Sequence, residues 1–165
     1  MLVLGIDPGT ATTGYGLVEE TSGKELKVVD YGVILTQPTT RPEKRLLQIY
    51  EDIQKLILLH QPNCGAVEKL YFQKNVTNAL AVGQARGVIL LAMAEAGFPI
   101  FEYSPQEVKQ SVTGYGAAQK KQIQQMVQTL LNLSILPKPD DAADALAIAI
   151  CHLHSTGYQS LMIGS

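Results

Sequence analysis

Three strand-length runs fill the first 36 residues before any helical periodicity begins, and this order limits the folds open to the chain. Residues 2–7 (LVLGID) form an apolar run that Pro8-Gly9 cuts off, as expected of a buried strand closed by a turn. Residues 13–19 (TGYGLVE) and 27–36 (KVVDYGVILT) read as two more strands, with Ser22-Gly23-Lys24 as the hairpin turn between them. The spacing predicts an antiparallel meander. Only after it does the pattern change. Leu46, Leu47, Ile49, Tyr50, Ile53, Leu56 and Ile57 recur at helical spacing over 41–60, and Gln61-Pro62 stops the run.

Alternation then sets in. Residues 65–70 read as a strand, 78–96 as a helix rich in small residues, and 98–103 as a fifth strand. Ser104, Pro105 and Glu107 have the spacing of a capping box with proline at the first helical position. Gly114 to Gly116 breaks that helix, another follows over 117–133, and the last runs from Asp141 to about His154. Three strands followed by βα units predict an α/β fold, a mixed sheet with helices on both faces. With 165 residues and no repeat or linker, one core suffices without metal or disulfide support. The expected division is a single domain over 1–155 and a loosely ordered tail over 156–165.

Composition excludes several classes. Cys64 and Cys151 sit in apolar stretches and form no CxxC pair, so a structural zinc site is not expected. The opening segment has no basic leader, and no run of about 18 apolar residues occurs; a cytoplasmic protein without a membrane span is the expectation. The formal charge of −2 argues mildly against a nucleic-acid partner. Its distribution argues the other way. Lys69 to Ala94 carries Lys69, Lys74 and Arg86 and no acid; Val108 to Pro139 carries Lys109, Lys120, Lys121 and Lys138 and no acid.

The acids gather at element ends. Asp7 closes the first strand, where open α/β sheets place ligands, although an Asp there also serves as a turn cap. Glu68 interrupts an apolar strand; it is either solvent-facing by alternation or paired with a cation, since a lone buried carboxylate is costly. Asp140, Asp141 and Asp144 open the last helix. Capping accounts for one of the first two. Asp144, among alanines and on the face of Asp141, is harder to explain that way. Carboxylates without His or Cys partners suit Mg²⁺ or Mn²⁺. Four of them can hold two ions roughly 3.5–4 Å apart for in-line phosphodiester displacement. His60, His152 and His154, at helix ends, read as surface or dipole-compensating residues.

These segments together resemble the RuvC family of Holliday-junction resolvases: GIDPGT at 5–10, TGYG at 13–16, AVEKLYFQKN at 66–75, GQARG at 83–87, VKQSVTGYGAAQK at 108–120 and DAADALAIAI at 141–150. The resemblance spans nearly the whole chain. It implies a ribonuclease-H-like fold with a five-stranded mixed sheet in the order 3-2-1-4-5, flanked by helices. It implies a Mg²⁺-dependent endonuclease with a catalytic, metal-binding tetrad of Asp7, Glu68, Asp141 and Asp144. Asp140 matches no part of the pattern. An aromatic that stacks on junction bases falls at Tyr71, with Phe72 beside it. Lys109 and Lys120 match basic residues near the active site, and Lys74 and Lys121 join them as DNA-contact candidates. The implied partners are a four-way DNA junction, a second copy of the chain, and the branch-migration proteins RuvA and RuvB. Resemblance also implies that the 78–96 helix forms the dimer interface. Its Ala81, Ala85 and Gly87 permit close helix approach, and Val82, Ile89 and Met93 read as exposed.

Two other classes compete. Glycines at 5, 9, 14 and 16 suit an actin-like ATPase or sugar kinase, though such enzymes need a duplicated domain. A non-catalytic junction binder, or a nuclease acting on RNA, is the other.

Overall fold

The computed structural model describes the backbone of residues 1–70 and 76–163, and side chains over 1–70 and 78–156. Five strands form one sheet: β1 (Leu2–Asp7), β2 (Thr12–Glu20), β3 (Leu26–Leu35), β4 (Cys64–Glu68) and β5 (Ile100–Tyr103), in the order β3-β2-β1-β4-β5. The first three strands pair antiparallel; β4 lies parallel to β1 and to β5. The anticipated 3-2-1-4-5 sheet is therefore present. Helices α1 (Pro42–His60), α2 (Val76–Glu95), α3 (Pro105–Thr113), α4 (Lys120–Leu130) and α5 (Asp140–Ile163) are the remaining elements among the described residues.

Strand alternation divides the interior in two. Leu4, Ile6, Leu17 and Val67 face α1 and α2, where Ile49, Ile53, Ile89 and Met93 close one core. Val3, Val18, Cys64 and Ala66 face α3, α4 and α5 and form the other. Each fully buried aliphatic side chain contributes about 1.5–3 kcal/mol, so both layers are needed. Cys64 and Cys151 are free thiols buried in the second layer, where desolvation pushes both up to about 11.

Helix α5 is buried nearly all round from Ala142 to Leu153, as a helix apolar on every face must be. It reaches the sheet because the strands beneath it carry glycines. A Cβ at Gly5 would lie 2.2 Å from the Ala145 carbonyl oxygen, and one at Gly14 would lie 2.0 Å from that of Asp141. The contact is backbone on backbone, which no larger residue permits.

Several expectations need correction. Ile89 and Met93 are fully buried against the sheet; among the described residues of α2 the exposed large apolar ones are Leu80 and Leu91. Periodicity marked the helix but not which stripe the sheet would cover. His152 is not a surface residue. It is 1% exposed, shares a 2.7 Å hydrogen bond with the Tyr103 hydroxyl and stacks on Phe101; burial holds its pKa below the ordinary histidine value. His154 packs half-buried against Ser111, and His60 pairs with Asp30 across 3.2 Å rather than standing at a free helix end. Helix α5 also continues to Ile163, well past His154, while α4 is shorter than its apolar pattern suggested.

Candidate active site

Ile6 pairs with Val67 in the parallel ladder between β1 and β4. The next residues, Asp7 and Glu68, therefore end neighbouring strands side by side, on the face opposite Ile6 and Val67. The turn after Asp7 is held from three directions. The buried Thr13 hydroxyl donates to the Gly9 carbonyl at 2.6 Å, Thr10 donates to the Ala81 carbonyl of α2 at 2.9 Å, and Thr36 donates to the Thr10 carbonyl at 2.6 Å. Arg45 Nε in turn donates to Thr36 at 2.7 Å.

Close docking of α5 on Gly14 sets Asp141 and Asp144 above this strand end. Asp7, Glu68 and Asp144 line one open cavity of about 260 Å³, together with Lys109, Lys120 and apolar side chains that include Val108 and Ile123. Asp141 does not line that cavity, yet its charge is felt at Asp7. The capping box at the start of α3 orients the helix that carries Lys109. Ser104 accepts from the Glu107 backbone N–H, and the Glu107 carboxylate accepts from the Ser104 N–H at 2.7 Å. Both hydrogen bonds are those foreseen from the spacing.

Burial and mutual repulsion dominate the electrostatics. Asp7 is pushed up to about 8, first by desolvation and then by Glu68, Asp144 and Asp141, with Lys120 opposing. Glu68 is raised by burial and by Asp144 against the pull of Lys109; Asp144 is raised by burial against Lys120. Three crowded carboxylates with too little positive charge between them are a set that a divalent cation would relieve. Their oxygens are the hard donors Mg²⁺ prefers, so the residues fit such an ion. Among the described residues, no three acidic, His or Cys side chains yet close around a single point. The cation present at Asp144 is Lys120, whose Nζ stands 3.1 Å from one Asp144 oxygen and 3.4 Å from one of Asp140.

Asp140 itself is outside the cavity. Its other oxygen accepts from Gln124 at 2.8 Å, and its pKa is lowered by that bond and by Lys120. Lys121 is exposed and does not line the cavity. Tyr71, Phe72 and Lys74 lie outside the described residues. One supporting residue counted in the sequence only towards a basic stretch. Arg86 of α2 donates from Nε to the Glu68 carbonyl at 3.2 Å and pairs with Glu102 of β5, pinning the strand end that carries Glu68. A lone Arg within an otherwise uncharged helical stretch was the available signal.

Residues 3–152 match the family described as Crossover junction endodeoxyribonuclease RuvC. The chain belongs to the RuvC family. A RuvC of Desulfitobacterium hafniense, named as a crossover junction endodeoxyribonuclease, is 55% identical over 165 residues, covering 100% of this chain and 99% of that one. Thermus thermophilus RuvC, solved in complex with a Holliday junction substrate, superposes with a TM-score of 0.88 at 32% identity, covering 96% of each chain. The yeast mitochondrial Holliday junction resolvase Ydc2 shares the fold at 15% identity, with a TM-score of 0.71 over 94% of this chain and 80% of that one. Membership of the RuvC family sets aside the ATPase and sugar-kinase reading. Among the described residues, no helix is long and apolar enough to cross a membrane.

Proposed function

We propose that this chain resolves four-way DNA junctions as a homodimeric, Mg²⁺-dependent endonuclease, with Asp7, Glu68, Asp141 and Asp144 as its catalytic carboxylates. The observation that carries the reading is the meeting of Asp7, Glu68 and Asp144 in one cavity rimmed by Lys109 and Lys120, in a chain of the RuvC family. Two Mg²⁺ ions, or Mn²⁺ in their place, would supply an activated water and relief of charge on the leaving 3′-oxygen.

The chain's own residues do the rest. Asp7 and Glu68 hold the inner wall of the site at fixed separation, because both sit in sheet register. Asp144 closes it from α5, and Asp141, three residues earlier on the same helix, adds its charge from beside the cavity. Lys109 and Lys120 hold the scissile strand by its phosphates, Lys121 tracks the backbone further out, and Lys74 adds a further phosphate contact; such contacts position DNA without reading sequence. Tyr71, with Phe72, stacks on bases unpaired at the crossover. The products are a 5′-phosphate and a 3′-hydroxyl, ready for ligation.

A junction with near two-fold symmetry needs a two-fold enzyme to nick opposed strands. The exposed Leu80 and Leu91 of α2 support that helix as the dimer face. The same reading makes the branch-migration proteins RuvA and RuvB its partners and the cytoplasm, where chromosomal junctions arise, its location.

The test is cleavage of labelled four-way junction, duplex DNA and structured RNA, with and without Mg²⁺, by the native protein and by Asp7→Asn. The native protein should cut the junction alone. The variant should lose about a thousandfold or more in rate, equivalent to ~4 kcal/mol of barrier, while still binding the junction. Normal cutting by Asp7→Asn with Mg²⁺ present would sink the assignment.

A further inference from the structure

Asp140 stands outside the four carboxylates assigned to catalysis and outside the cavity lining, yet both its oxygens are engaged. One is held by Gln124 at 2.8 Å and the other faces Lys120 at 3.4 Å. Gln124 follows Lys120 by one turn of α4, so a single helix face presents both groups to Asp140. Lys120 meanwhile reaches inward to Asp144 at 3.1 Å. One ammonium thus stands between a carboxylate that lines the site and one that does not.

We infer that Lys120 is the built-in counter-cation of the metal-free site and that Asp140 is the post to which it is handed when a metal takes Asp144. The inference rests on the metal-dependent reading above. An ammonium and a divalent cation on the same carboxylate repel each other, so metal binding at Asp144 favours moving the ammonium to another partner. Without Asp140, Lys120 would have to give up its ion pairing altogether. With Asp140 already in contact and oriented by Gln124, it changes partners by a small swing. It also stays at the cavity rim, where a DNA phosphate arrives. Asp140 is on this account a positioning residue, acting through Lys120.

The test is Mn²⁺ binding to the full-length protein without DNA, followed by electron paramagnetic resonance and calorimetry. Four proteins are compared: native, Lys120→Gln, Asp140→Asn and the double variant. All the altered groups are half exposed or more, so folding is not at risk, and a thermal melt of each checks this. Lys120→Gln should bind Mn²⁺ about fivefold more tightly, because the competitor is gone. Asp140→Asn should bind it about threefold more weakly, because Lys120 then has only Asp144. In the Lys120→Gln background the Asp140 effect should shrink towards nothing, the non-additivity expected of groups acting as a unit. Additive effects, or unchanged affinity in Lys120→Gln, overturn the hand-over and leave the metal site standing. Failure of all four proteins to bind Mn²⁺ overturns the metal reading and the hand-over with it.

Discussion

The acidic groups come from two regions that differ in kind. Asp7 and Glu68 hang from adjoining parallel strands, locked by the ladder beneath them and by Arg86 and Thr10 beside them. Their pKa values are raised chiefly by burial. Asp140 and Asp144 start a helix and share Lys120; Asp140 is exposed, and Asp144, though raised by burial, has Lys120 pulling the other way. The strand half is pre-set and electrostatically strained; the helix half is adjustable and already partly neutralised. A site built this way has a rigid floor that stores unfavourable charge and a rim that exchanges its cation.

The largest effect that would sharpen this contrast concerns Asp7. Unfolded, it releases its proton near 3.8; folded and metal-free, near 8. Between those values the folded state holds the extra proton. Asp7 therefore costs nothing below the lower value, and metal-free stability falls as pH rises towards the upper one. Asp7→Asn should remove that slope and stabilise the metal-free protein at pH 8 by on the order of a few kcal/mol, read from urea melts in EDTA. Parallel pH profiles for native and variant would mean the floor carries no stored charge.

Next comes the junction between the two halves. Gly14→Ala drives a methyl group into the Asp141 carbonyl oxygen, 2.0 Å from its ideal position, and should cost about 1–3 kcal/mol along with Mn²⁺ affinity. Gly23→Ala, where the nearest atom is 3.8 Å away, is the control and should be near neutral. If both behave alike in denaturation and metal titration, α5 does not depend on that contact. The smallest effect is at the rim. Ser104→Ala removes the acceptor for the Glu107 N–H and should cost about 1 kcal/mol. It should also slacken Lys109 and weaken junction binding in a salt-dependent way. A loss of binding without any drop in melting temperature would place Ser104 at the DNA rather than in the cap.

Much of this was legible from local pattern. The strand that ends at Asp7, the capping box at Ser104 and Glu107, and the helix that begins at the Asp140 run all follow from short-range rules of backbone geometry. The features that escaped are those in which residues far apart in sequence meet. His152 reads as a helix-end residue until Tyr103 and Phe101 arrive from β5. Ile89 and Met93 read as exposed until the sheet covers them. Arg86 has no visible role until Glu68 stands beside it.

Local pattern was enough to give the order of strands and helices, which residues carry charge, and that the acidic ones are hard oxygen donors. Hydrophobic periodicity and turn chemistry act over a few residues, so a linear reading contains them. The tertiary structure alone decided that Asp7 and Glu68 are neighbours, that Asp141 stays off the cavity wall, and that Lys120 divides its charge between Asp144 and Asp140. Those outcomes depend on sheet register and on how closely α5 can approach two glycine-bearing strands, distances that exist only once the chain has packed.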